Sequence, residues 1–128
     1  MTVFASRKII VLLVLLCSAP VTAAMAGGLR PSYTTCLNAT GGVTSDMQDC
    51  IAAEFEYQDA RLNKVYRALR ERLDQQGKRK LLGEQRKWLA LRDKSCEADA
   101  GGGTGQMLEA SDCALGMTAK RAAELESR

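Results

Sequence analysis

Histidine is absent from this 128-residue chain. With it go the commonest metal ligand and the side chain best suited to proton transfer near neutral pH. None of the five cysteines is spaced as C-x-x-C, so zinc and thioredoxin-like chemistry lack their motif as well. No nucleophile, histidine or metal cluster accompanies the buried-looking polar residues, and catalytic machinery is not expected. The chain also lacks an internal repeat and any alternating pattern that would suggest a strand. Glycines do cluster, in Gly101-Gly102-Gly103-Thr104-Gly105. They follow a helical pattern rather than a strand and lack the Lys-Ser/Thr ending of a phosphate loop, which makes them a flexible connection.

Long apolar runs are missing too. Ile9 to Cys17 is a nine-residue run, too short to span a bilayer but long enough for the core of a leader. Arg7 and Lys8 precede it, Pro20 interrupts it, and Ala24-Met25-Ala26 fits the small-residue cleavage pattern. Residues 1–26 therefore read as a cleavable signal peptide and residues 27–128 as one mature domain. Leu16 is not the small residue a lipidation signal needs before its cysteine, so lipid anchoring at Cys17 is not expected. Cleavage removes Arg7 and Lys8, taking the formal net charge from +3 to +1. A nearly neutral total points to neither nucleic acid nor a membrane surface as partner. No cofactor is implied and no transmembrane segment is expected in the mature chain.

Four cysteines remain after cleavage: Cys36, Cys50, Cys96 and Cys113. An even number in a small exported chain implies two disulfides and a periplasmic or secreted location. Each bridge should contribute about 2–4 kcal/mol to a domain whose core is marginal at this size.

The expected fold class is all-α: a long antiparallel helical hairpin plus a third C-terminal helix, braced by the two disulfides. Residues 27–43 read as irregular, with Pro31 and Gly41-Gly42 and no sustained period. A first long helix should start near Ser45, where Ser45-x-x-Gln48 has capping-box spacing, and end near Gln76 at Gly77. Ile51, Phe55, Leu62, Tyr66, Leu69 and Leu73 share one of its faces. A second should cover residues 78–98, with Leu81, Gln85, Trp88, Leu89, Arg92 and Cys96 on one face. The third should start near Ser111 and carry Cys113, Met117, Arg121 and Leu125 as its stripe.

A turn at Gly77 would set Tyr66 opposite Trp88 and place Asp59 near Cys96. All four cysteines would then collect at the open end of the hairpin. Three connectivities stay open, with Cys36–Cys50 and Cys96–Cys113 closing the shorter local loops. Charge is polarised along the same axis. Arg67, Arg70, Arg72, Lys78, Arg79 and Lys80 crowd the hairpin tip, whereas Asp46, Asp49, Glu54, Glu97, Asp99, Glu109 and Asp112 crowd the open end. Asp59, Asn63 and Arg92 fall on faces that should be apolar. A partly buried Asp59–Arg92 ion pair, with Asn63 and Gln85 satisfying nearby groups, would account for them. Tyr66 and Trp88 read as core, and Arg121 as another inward-reaching support.

An ordered set of short patterns runs through these elements. Cys36 is followed by Thr44-x-x-Met47-x-x-Cys50 and by Asp59-x-x-Leu62-Asn63-x-x-Tyr66. Then come Gln85-Arg86-x-Trp88-x-x-x-Arg92-Asp93-x-x-Cys96, the glycine loop, Cys113 and Thr118-x-x-Arg121-x-x-x-Leu125. In this order the chain resembles the LprI-like lysozyme-inhibitor N-terminal domain family of bacterial exported proteins. The resemblance implies a compact helical domain in the periplasm or outside the cell. For at least one branch it implies inhibition of lysozyme, with lysozyme as the protein partner. Lysozymes are commonly basic, so the acidic open end is the expected docking surface, with Glu97, Asp99, Glu109 and Asp112 flanking the glycine loop. The alternative is a non-catalytic structural or stress-related envelope module that contacts another protein or an anionic surface through the basic tip.

Overall fold

A computed structural model describes residues 28–128. The signal peptide expected at residues 1–26 lies outside them. The described chain forms α1 (Pro31–Ala39), α2 (Thr44–Glu71), α3 (Gln75–Ser95) and α4 (Thr104–Glu126). The all-α class follows, and the two short-loop disulfides are formed: Cys36–Cys50 with Cα atoms 5.8 Å apart and Cys96–Cys113 with 5.5 Å.

Helix α1 corrects the expectation of an irregular N-terminal segment. Proline at its first position arrives with its φ already helical and has no N–H to leave unsatisfied. Tyr33 and Leu37, one turn apart, turn the same way and join Ile51 and Leu115 in the core. Gly41 and Gly42 then take φ values of +59° and +85°, a turn that residues with a Cβ rarely make. Nine residues with two apolar anchors are too few to show a period, but the Pro-first, Gly-after punctuation was a legible sign.

Helix α2 starts at Thr44 with Val43 in the N-cap position, so the expected capping box is not made. Gln48 reaches across to Ser111 Oγ instead (3.3 Å). The helix stops at Glu71, short of Gln76, because Asp74 caps the next helix: its carboxylate accepts from the Gly77 N–H at 2.7 Å. Gly77 thus belongs to the first turn of α3 and does not terminate α2. Helix α4 starts at Thr104, seven residues before Ser111, and Ser111 lies within it. Helix α3 ends at Ser95, so the connection between α3 and α4 runs over residues 96–103.

Pairing between the helices is uneven. Connectivity makes α2 and α3 antiparallel, and α4 returns parallel to α2, tying Gln48 to Ser111 at one end and Arg61 to Glu126 at the other. The close partners are α2 and α4, while α3 touches each of them at few points. Side-chain size explains this. Thr118, Ala119 and Ala122 are fully buried on α4 and let α2 approach. The α3 side of the bundle is filled by Trp88, Arg92 and Arg121, which hold the helices further apart. Two apolar clusters result: Leu62, Leu69, Leu81, Ala122 and Leu125 toward the hairpin tip, and Tyr33, Cys50, Ile51 and Leu115 toward the disulfide end.

Glu54 joins the N-terminal strap to this frame. It is 1% exposed, and its carboxylate accepts from the Arg30 backbone N–H (2.9 Å), Arg30 Nε (2.7 Å) and Gln58 Nε2 (2.7 Å). Burial alone would raise its pKa. The Arg30 backbone N–H, the Gln58 amide and the Arg30 guanidinium together hold it below the usual carboxylate value. Gln58 also donates to the Gly28 carbonyl. Gly28 has φ +82°, and a Cβ there would meet the Arg61 guanidinium at 2.5 Å.

Candidate functional site

The segment from Ser95 to Ala119 carries four acids, Glu97, Asp99, Glu109 and Asp112, among small, polar and apolar residues, and no lysine or arginine. The Cys96–Cys113 bridge pins the start of the 96–103 connection onto α4. Glu97, Asp99 and Glu109 come together around a recess of about 270 Å³ that Ser95, Gln106 and the disulfide also line. None of the three takes part in an ion pair among the described residues. Asp112 does not join them. Its Oδ1 accepts the Tyr33 hydroxyl at 2.6 Å and so fastens α1 to α4. Burial of the tyrosine, then this hydrogen bond and the aspartate charge, push the Tyr33 hydroxyl well above its ordinary pKa.

Among the eight polar and core motif residues, the structure separates supports from surface. Leu62 is core. Arg121, 6% exposed, donates from Nε to Gln85 Oε1 (3.1 Å) and from Nη1 to Glu124 (2.7 Å), and its guanidinium lies 5.8 Å from the Trp88 ring centre. It is thus buried between α3 and α4, and Trp88 packs on the tip cluster. The expected Asp59–Arg92 ion pair is not made. Arg92 pairs with its neighbour Asp93 through Nε (3.0 Å) and Nη2 (2.9 Å) and rests between the Trp88 and Phe55 rings, at 5.3 and 5.8 Å. Asp59 instead accepts from Asn63 Nδ2 at 2.8 Å on its own helix. The pair fails because the turn precedes Gly77 and because bulky side chains keep α3 away from this part of α2.

Asp59, Asn63 and Tyr66 therefore border open space. They line a groove of about 1080 Å³ along α2, from Gln48 to Arg67, walled on one side by Ser111 and Ala114 of α4. Phe55, Glu56 and Ala60 are further lining residues that the sequence reading missed as a site. Their signal was a second stripe at helical spacing, Ala52, Phe55, Glu56, Asp59, Asn63 and Arg67, running beside the core stripe. Among the described residues no three histidine, cysteine or acidic groups are placed to hold a metal ion, and no helix is long and apolar enough to cross a membrane.

A small all-helical domain, braced at one end by two disulfides and acidic at that same end, is the class these features define. The model of the family described as "Lysozyme inhibitor LprI" matches residues 36–125. The chain belongs to that family. The match starts at the first disulfide cysteine and closes at Leu125 in the tip core, so it takes in both bridges and leaves out, among the described residues, only 28–35 and 126–128. No curated protein and no solved structure matches the chain.

Proposed function

We propose that this protein is exported through a cleaved signal peptide, acts in the periplasm or outside the cell, and inhibits a lysozyme-type muramidase by binding it. Residues 27–128 carry the inhibitory domain, which works by binding and not by catalysis, without a cofactor. The carrying observation is the acidic recess of Glu97, Asp99 and Glu109, held by the Cys96–Cys113 bridge beside a glycine-rich connection. Carboxylates with no internal counter-ion attract a basic enzyme and orient its approach. Family membership supplies the partner class, and two disulfides suit an oxidising compartment.

Lysis of a cell-wall suspension by several lysozyme types, with and without oxidised mature protein, tests this reading. Saturable inhibition of at least one type is expected. Reversing Glu97, Asp99 and Glu109 together to lysine should weaken that inhibition and flatten its salt dependence. Inhibition of no type refutes the reading, and full inhibition by the reversed variant refutes the surface.

One observation favours a second reading. Arg67, Arg70, Arg72, Lys78, Arg79 and Lys80 at the tip are free of ion pairs among the described residues. An envelope module that contacts an anionic polymer through this tip would sediment with such a polymer at low salt and inhibit no muramidase.

A further inference from the structure

We infer that the groove along α2 is a docking site for a protein partner that lays an arginine or lysine side chain against Asp59. The groove is about 1080 Å³, and no described segment of the chain covers it. Its walls are mostly apolar: Ile51, Ala52, Phe55, Ala60, Tyr66 and Ala114. Two carboxylates, Glu56 and Asp59, sit among them, and neither is in an ion pair among the described residues. Asp59 is half-buried, and its partner Asn63 is a neutral amide that satisfies one lone pair and leaves the charge uncompensated.

An internal cation is close but committed. Arg92 reaches to 5.8 Å from the Phe55 ring centre, yet its guanidinium is bound through two nitrogens to Asp93. Arg67, two turns beyond Asp59, is the cation at the far end of the groove and confines the acidic stretch to Glu56 and Asp59. A carboxylate left in partly apolar surroundings without a counter-ion is unfavourable until a cation arrives. An arginine or lysine meets each requirement: its charge complements Asp59, its aliphatic stem covers the apolar wall, and the aromatic rings attract it further. Anionic ligands are repelled by the same carboxylates. Among the described residues the Asp59 and Asn63 side chains hydrogen-bond to each other and tie α2 to no other helix.

The docking site deepens the inhibitory reading, on which it rests only for the identity of the partner as the muramidase. The direct test titrates oxidised, isotopically labelled mature protein with a blocked peptide of alternating arginine and leucine. Saturable shifts of the Asn63 side-chain amide and of Tyr66 are expected. Asp59→Asn keeps an acceptor for Asn63 but removes the charge. It should weaken this binding about tenfold, a change of about 1.4 kcal/mol, with an unchanged melting temperature. The recess variant with Glu97, Asp99 and Glu109 reversed should keep the groove shifts. Absence of shifts at millimolar peptide, or equal binding by Asp59→Asn, overturns the site. In the lysis assay, Asp59→Asn and the space-filling Ala60→Trp should both lose potency against whichever muramidase the wild type inhibits. Full inhibition by both removes the groove from the inhibitory contact. Groove binding by a wild type that inhibits no muramidase supports the docking site and overturns the inhibitory reading.

Discussion

Glu54→Gln is the substitution that best probes how the strap is held. The change keeps size and one carbonyl acceptor, but it removes the charge and places an NH2 where Gln58 or Arg30 already offers a donor. Three charge-assisted hydrogen bonds are affected. At about 1.5–3 kcal/mol each they would sum to a large figure, but glutamine still accepts one of them. Arg30 is 37% exposed, so its ion pair is screened and counts for less. A net loss of about 2–3 kcal/mol follows, or roughly 10–20 °C in melting temperature for a domain near 100 residues. The sign of the pH dependence is fixed by the lowered pKa of Glu54. Its stabilisation is fully present above the unfolded carboxyl value of 4.5 and is lost as pH falls through the lower folded value. Circular-dichroism melts of wild type and Glu54→Gln from pH 7 to pH 2 should therefore show a gap that is widest at neutral pH and closes in acid. Comparing the two proteins cancels Glu84 and Glu126, whose carboxyls are also lowered by hydrogen bonds from Arg128 and Arg61. A gap that stays constant across that range would refute the argument, because the loss would then be one of packing and not of charge.

Two further outcomes are expected. Leu115 is fully buried between Tyr33, Cys50 and Ile51, so Leu115→Ala should cost about 2–5 kcal/mol in denaturant melts, with the spread set by how far α1 collapses into the space. Replacing Cys96 and Cys113 together by serine opens a loop with a sequence separation of 17 and should cost about 3 kcal/mol. The same variant should lose inhibitory potency at temperatures where it remains folded, because Glu97 and Asp99 are no longer held beside Glu109.

The sequence by itself determined the class and the ends of this molecule. Apolar spacing in α2, α3 and α4 marks each of them as helical, since that period follows from local geometry, and packing of the apolar faces then stabilises them. The four cysteines, two near each other in the first half and two in the second, carried the disulfide pairs as the shorter loops. The segregation of acids and bases along the hairpin was equally visible, because a helix orders charge along its axis in chain order. Short-range chemistry was harder to read. Helix α1 is too brief for a period, and the competition between Asp74 as a cap and Gly77 as a stop is settled by one hydrogen bond.

Tertiary structure alone decided which polar residues are spent inside the fold. Arg92, Asp59 and Asp112 had equal claims on several partners, and their spacing along separate helices says nothing about how far apart those helices stand. Small residues on α4 draw α2 inward, and large ones hold α3 off. With α3 held off, Arg92 pairs with Asp93 and Asp59 faces open space, while the seating of α1 gives Asp112 to Tyr33. Interhelical distance is a property of packed volume, which depends on every side chain between the helices and so cannot be read from any one of them.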